Sequence, residues 1–233
     1  MEQFTPSARS KVKRIPKRGA YDAATVYSIL DAGCIAHVGF AVDQQPFVIP
    51  TIYGRENDTL YLHGATTSRM LQQLQRGLPI CVTVTHVDGL VLARSAFHHS
   101  MNYRSVVVFG TATLVPDDEK MHALAVVSEQ ILKGRWEEVR LPNAKELKAT
   151  SVVRVQIEEA SAKIRTGDPG DEPEDYALPI WAGVVPMHTT FGPVQPDPAM
   201  ETPLPTPASV AALYPKQGPS SGASAEDPSR DQA

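Results

Sequence analysis

Short runs of alternating apolar and polar residues, cut by turn residues, dominate the first two-thirds of the chain. Cys34 to Val42 and Pro46 to Tyr53 flank Asp43-Gln44-Gln45, a pattern that predicts a β-hairpin. Pro50 interrupts the second run, and proline has no N–H to give a neighbouring strand, so this strand is expected at an edge or bulged there. Glu56-Asn57-Asp58 turns into a short strand over Leu60 to His63, which Gly64 ends. Ile80 to His86 is rich in β-branched residues, and Asp88-Gly89 is predicted to turn it into Leu90 to Ala93. Val106 to Val115 is the longest apolar strand, and Ser151 to Glu158 is the last with clean alternation.

Helical periodicity is sparser. Asp22 caps the stripe Val26, Ile29 and Leu30, which stops at Gly33. Ser68 or Thr67 caps Met70, Leu71 and Leu74, stopped by Gly77 and Pro79. Pro116-Asp117-Asp118 opens a helix from Glu119 to Leu132, and Lys145 to Ala149 forms a short helical turn. Parallel strands would need helical crossovers that most of these connections lack. The pattern therefore predicts a mainly β fold with a few helices, an antiparallel Greek-key-like barrel of six or seven strands.

Composition narrows the setting. With 233 residues, 42% hydrophobic and 21% charged, the chain has room for one good-sized domain with tails. A net charge of −4 argues against nucleic acid as the main partner, and no apolar run is long enough for a membrane span. Cys34 and Cys81, the only cysteines, sit among apolar neighbours and read as buried thiols in a reducing, cytoplasmic setting. Arg9, Lys11, Lys13, Arg14, Lys17 and Arg18 make a basic leader over residues 1–17 and its junction, without the apolar core of a secretory signal, and it reads as a flexible solvated arm. Residues 166–177 read as an acidic loop, and 191–233 as a disordered tail of Pro, Ser, Ala and acid.

Three segments carry candidate chemistry. At Leu62-His63-Gly64-Ala65-Thr66-Thr67-Ser68-Arg69, a strand breaks at glycine and a helix starts with a hydroxyl and a guanidinium. Those are the parts of an anion site, and equally of a plain capped helix with a solvent-facing arginine. The stretch Arg94 to Ser105 is richer in donors than a hairpin loop requires; Arg94, His98, His99, Ser100, Asn102, Tyr103 and Arg104 suit an anionic or heteroaromatic ligand. His98-His99 lacks an acidic or Cys partner at ligand spacing, so no metal site is assigned. The third is Ser161 to Arg165, followed after the acidic loop by Leu178 to Pro186, an apolar run that must dock somewhere, and its Trp181 either covers a flat ligand or fills a groove.

The order of these segments carries a resemblance. Arg18-Gly19-Ala20-Tyr21-Asp22, Pro46 to Thr51, Tyr61-Leu62-His63-Gly64-Ala65 with Ser68-Arg69, Thr85 to Ala93, the stretch Arg94 to Ser105 running into Val106-Val107-Val108-Phe109-Gly110, Gly134-Arg135-Trp136 and Trp181-Ala182-Gly183-Val184 follow one another as in a known family. The chain resembles the pyridoxamine-phosphate-oxidase-like flavoproteins with the FMN-binding split barrel, and in particular the flavin-nucleotide-binding subgroup related to nitroimidazole-resistance reductases. The resemblance covers residues 14–188, with the barrel domain over 18–188.

It implies a homodimer with FMN at the subunit interface. Ser68 and Arg69 would hold the phosphate, with His63 beside the phosphate and ribityl chain. The isoalloxazine would lie against the backbone of Ile49, Pro50 and Thr51, and Ser100, Asn102, Tyr103 and Trp181 would close over it, in this reading from the second chain. Arg69 is followed by Met70 where the oxidase has a second basic residue, and the region after Trp181 is apolar and uncharged. These departures argue against genuine pyridoxamine-phosphate oxidase activity. The expected function is an oxidoreductase passing electrons from NAD(P)H through FMN to a small acceptor, with His63 and Tyr103 as candidate acid–base groups. The alternative is a non-catalytic flavin- or haem-binding protein, for which His98-His99 could reach an iron.

Overall fold

A computed structural model describes residues 2–214. Two compact units follow one another in the chain, Met1–Thr190 and Phe191–Ala233. Among the described residues the first unit holds nine strands: β1 (Gly19–Ala20), β2 (Ile35–Val42), β3 (Gln45–Glu56), β4 (Thr59–Ala65), β5 (Pro79–Leu92), β6 (Ser100–Leu114), β7 (Thr150–Gln156), β8 (Glu159–Arg165) and β9 (Gly183–Pro186). Its helices are α1 (Ala23–Asp31), α2 (Arg69–Leu74), α3 (Lys120–Ile131) and α4 (Ala144–Ala149). In the second unit, α5 (Ala208–Ala211) is the helix among the described residues, and the Tyr214 hydroxyl donates to the Gly192 carbonyl. The expected disordered tail lies outside the described residues from 215 onward.

Every strand pairing is antiparallel, and β6-β7-β4-β3-β2-β5 closes on itself because β5 also pairs with β6. Closure pairs strand edges that would otherwise stand open. The chain is thus a split barrel, with β8 and β1 added beside the first half of β6 and β9 beside the end of β5. Opposite β5, strand β6 divides its other edge between two neighbours: Tyr103–Phe109 pair with β8 and Ala112–Leu114 with β7. Gly110 sits at the crossing, where a Cβ would stand 2.1 Å from the Gln156 carbonyl oxygen, so no side chain fits.

Alternation builds the interior. Ala36, Val38, Tyr53, Leu60, Leu62, Val82, Val84, Val106, Val108, Val153 and Val155 point inward and are fully buried with Ile29, Leu30 and Leu71 from the helices. Asp22 caps α1 as its sequence suggests, accepting from the Thr25 N–H at 2.8 Å. On the outer face, α3 covers Tyr61 and Val152 with Ala123 and Val127.

Three local readings differ from the structure, and at Pro50 one of two expected alternatives drops out. Asp88-Gly89 is no turn: β5 runs on, with a register shift between Val87 and Gly89. There β9 approaches so closely that a Cβ on Gly89 would lie 3.0 Å from the Val185 carbonyl oxygen, which makes the residue a bulge glycine. The polar stretch expected as a loop up to Ser105 is a loop only to His99, with a 3-10 turn at Ala96–His98; from Ser100 it pairs with β5. Pro50 is paired in unbroken register with His37, so the strand carries no bulge there. The leader lies along the body: the Arg9 Nε–H donates to Glu159 at 2.8 Å, the Val12 N–H to the Tyr21 hydroxyl oxygen at 2.8 Å, and Phe4 packs edge-on against Tyr27.

Candidate functional site

Strand β3 begins beside one neighbour and ends beside another. Its pairing with β2 runs from Gln45 to Ile52, whereas its pairing with β4 starts only at Tyr53. From Gln45 to Ile52 the β4-facing edge is therefore open. The Tyr53 N–H donates to the Cys34 carbonyl on the β2 side, so by strand alternation Pro46, Val48, Pro50 and Ile52 turn their backbone groups toward the opening. Two of the four have no N–H to leave unpaired, which is how the strand tolerates the gap. The edge expectation for Pro50 is thus met inside a closed ring.

The start of α2 borders this opening. The Arg69 guanidinium lies 4.8 Å over the Phe47 ring of β3. Ser68 occupies the N-cap position but makes no side-chain capping bond, so the expected hydroxyl cap is absent. Ile49 and Thr51 point inward with Phe47, which stacks on Phe40 at 5.5 Å, while Pro50 points outward. Ile49, Pro50, Thr51, Ser68 and Arg69 therefore belong to one neighbourhood.

His63 is placed elsewhere. It extends from β4 on the side of α3 and lines a recess of about 300 Å³ with Leu124, Val127, Ile131, Trp136 and Glu146. Its Nδ1 is buried without a hydrogen-bond partner, and burial holds its pKa below the ordinary histidine value. Neither Ser68 nor Arg69 lines that recess.

Ser100 and Asn102 belong to a third place. Asn102 is buried and accepts from the Arg165 Nη1, which also donates to the Gly167 carbonyl at 3.1 Å. Ser100 lines a polar basin with Arg14, Lys17, Arg18, His98, His99 and Arg165. Tyr103 pairs with Arg165 across the sheet but does not line the basin. His98 Nε2 stands 3.4 Å from Glu172, and His99 Nε2 stands 3.2 Å from the Ala93 carbonyl oxygen. The acidic loop is tethered here: the buried Asp171 carboxylate accepts from the Arg94 and Ser95 N–H groups at 3.0 and 3.1 Å. Trp181, 67% exposed, stands before β9 with its ring against Gly183.

Sequence reasoning singled out the run ending in Arg165 without giving that residue a role, and treated Arg14 and Lys17 as part of a solvated arm before the domain that begins at Arg18. The signal was present in the density of basic residues between Arg9 and Arg18, but their destination is a long-range contact. Among the described residues no cluster of three or more His, Cys, Asp or Glu side chains could hold a metal ion, and no helix is long and apolar enough to cross a membrane.

A closed antiparallel ring with one strand pair splayed open defines the class as split-barrel proteins. The chain belongs to the pyridoxamine 5'-phosphate oxidase family, whose profile matches residues 22–164. The solved flavocytochrome Anf3 from Azotobacter vinelandii is 42% identical, aligned over 91% of this chain and 99% of its own, with a TM-score of 0.84. An FAD and heme binding protein from Mycobacterium smegmatis is 36% identical, over 84% of this chain and 97% of its own, with a TM-score of 0.81. A protein from Bacteroides thetaiotaomicron named for 5-nitroimidazole antibiotic resistance shares the fold at 24% identity, over 63% and 86% of the two chains, with a TM-score of 0.52. No curated protein matches the chain.

Proposed function

We propose that this chain is a flavin-binding electron-transfer protein that works as a homodimer, with FMN or FAD held at the opening between β3 and β4. The observation that carries the reading is the open β3 edge beside Ser68 and Arg69, in a chain similar to two proteins named for flavin and haem. The residues present fit a flavin. Its ring system has both donor and acceptor edges, and the Val48 backbone N–H and C=O groups face the gap without a strand partner. The Ser68 hydroxyl, not engaged in capping, and the Arg69 guanidinium supply a neutral and a charged donor for a phosphate. The flavin would supply the redox chemistry, accepting hydride and passing on electrons, which leaves the protein to bind, orient and exclude water. NAD(P)H as donor and a small acceptor complete the oxidoreductase reading.

Oxidation of pyridoxamine phosphate itself is disfavoured, because Met70, at the second basic position of the oxidase, is packed into the core. A second copy is the proposed cover for the outer face of β2 and the first half of β3, where Val48 is 67% and Ile35 47% exposed. A haem is favoured as a second cofactor by one further observation: His63 holds its Nδ1 buried without a partner in a largely apolar recess, whereas His98 and His99 already have neighbours.

The absorption spectrum of the purified chain tests both cofactors. Flavin bands are expected, and a Soret band that disappears in His63→Ala identifies the haem ligand; a colourless chain that takes up neither FMN nor FAD overturns the flavin reading. Ser68→Ala with Arg69→Ala should weaken flavin binding by about 2–4 kcal/mol, one charge-assisted and one neutral bond. Unchanged affinity removes these two residues from the phosphate site.

A further inference from the structure

The basin between the leader and the end of β8 is the strongest unassigned feature of the molecule. It encloses about 720 Å³, a size in the range of small-ligand sites. Arg14, Lys17, Arg18 and Arg165 line it together with a single carboxylate residue, Asp168, whereas the neighbouring acids go elsewhere. Asp171 is taken by Arg94 and the Ser95 N–H, and Glu172 stands beside His98.

Arg165 is the telling residue. Its guanidinium is buried, its partners are the Asn102 amide and the carbonyls of Gly167 and Asp168, and no carboxylate pairs with it. Its Nε is buried with no partner at all. Burial and the nearby charge of Arg18 both act against its protonated form. An arginine held charged under these conditions favours an anion strongly, because one anion relieves both the desolvation and the repulsion. The path of the leader brings further charge to the same place. Ile15 adopts a left-handed φ of 56°, costly for a β-branched residue, and the turn Pro16–Arg18 that follows directs Lys17 and Arg18 to the basin. At the rim stands Phe97, 89% exposed and stacked edge-on to His98 at 5.2 Å, a large apolar ring that no packing need explains.

We propose that this basin binds the diphosphate of an adenine dinucleotide, with the phosphates on Arg14, Lys17, Arg18 and Arg165 and the adenine against Phe97. Four cations against one carboxylate suit a group of two or three negative charges better than a single carboxylate ligand. The shared chemistry is an ADP moiety, which has two sources: a nicotinamide dinucleotide bound beside an FMN whose own phosphate sits at Ser68 and Arg69, or the ADP half of an FAD, whose single diphosphate would then lie in this basin and not at Ser68 and Arg69. The site stands whether or not the β3–β4 opening takes a flavin.

The experiment uses the full chain, as purified and after its cofactors are stripped, with ADP as the probe in calorimetric titration and adenosine for comparison. ADP should bind saturably and much more tightly than adenosine, and the double variant Lys17→Ala, Arg18→Ala should weaken it about tenfold or more, as expected for lost charge-assisted contacts. These two residues are at the surface side of the basin, so the variant keeps the fold; Arg165→Met, checked for folding by circular dichroism, should weaken ADP further. If FAD is the source, ADP binds only the stripped chain and the double variant purifies with less FAD. If a nicotinamide dinucleotide is the source, ADP binds the chain as purified and competes with NADPH. ADP binding to neither form, or equally to wild type and the double variant, overturns the proposal. A colourless chain that still binds ADP would overturn the flavin reading alone.

Discussion

Strands β3 and β4 share a ring, yet the two halves of its outer face are finished differently. Over β4 and β7, the outward residues Tyr61 and Val152 lie under α3 and pack with Ala123 and Val127 into a small second core. Over β2 and the start of β3, the outward residues Ile35 and Val48 lie bare, with Pro50 exposed between them in the same register. Both halves are apolar inward, and each carries large apolar residues outward among polar ones such as Arg154 and His37. A sheet buried on one side needs only one apolar face, so the large outward residues call for a cover on each half. The chain supplies one as α3; the homodimer proposal assigns the other to a second copy.

The largest expected effect lies in the covered half. Val127 is buried under α3, and Val127→Asp places an unpaired carboxylate there, which should cost about 3–5 kcal/mol or prevent folding. Chemical denaturation of the variant measures it, and a loss below about 1 kcal/mol would mean that α3 is a loose cover. The bare half should behave in the opposite way. Ile35→Asp with Val48→Asp should leave protomer folding within about 0.5 kcal/mol per site while converting the dimer to a monomer in light scattering. A wild-type chain that is monomeric at all concentrations refutes the second cover.

A narrower test concerns the prolines of the open edge. Pro50→Thr restores an N–H facing the gap, where it has no strand partner. Flavin affinity should fall severalfold if the new donor and side chain crowd the ring, with thermal stability little changed; unchanged affinity would place the flavin away from this edge.

How much of this was legible in the sequence follows from the range of the forces involved. Local features read correctly: the Asp22 cap, the hairpin around Asp43 and Gln44, and the inward rows of β4 and β7 depend on residues a few positions apart. The Asp88-Gly89 pair misled because a turn and a bulge use the same glycine freedom; β9, distant in sequence, decides between them. Ser100 to Ser105 looked like a loop because its polar residues have partners invisible locally, chiefly Arg165 for Asn102. In the candidate site, the resemblance grouped Ile49 to Thr51 with Ser68-Arg69, and the structure brings these two segments into one neighbourhood through Arg69 over Phe47. Arg165 meeting the leader was not legible, because β1–β8 pairing brings together residues more than a hundred positions apart.

The smallest and most specific effect concerns the titration of His63, the one predicted site residue found under the covered half. Its Nδ1 is buried without a partner beneath α3, and burial lowers its pKa from the ordinary value of 6.5. The unfolded chain therefore takes up a proton as pH falls through 6.5 while the folded chain resists it, so this residue's contribution to stability is full above that pH and is lost below it. The carboxylates held below their ordinary values, such as Asp22 and Glu146, lose their contribution only further into acid, which leaves the interval from about pH 7.5 to 5.5 to histidine. Denaturation at both ends of that interval should show a stability loss in wild type that is smaller in His63→Leu, with the leucine variant at least as stable at pH 5.5. An identical loss in both would mean that the recess opens to water and that α3 covers this end of the sheet no better than the solvent covers Val48.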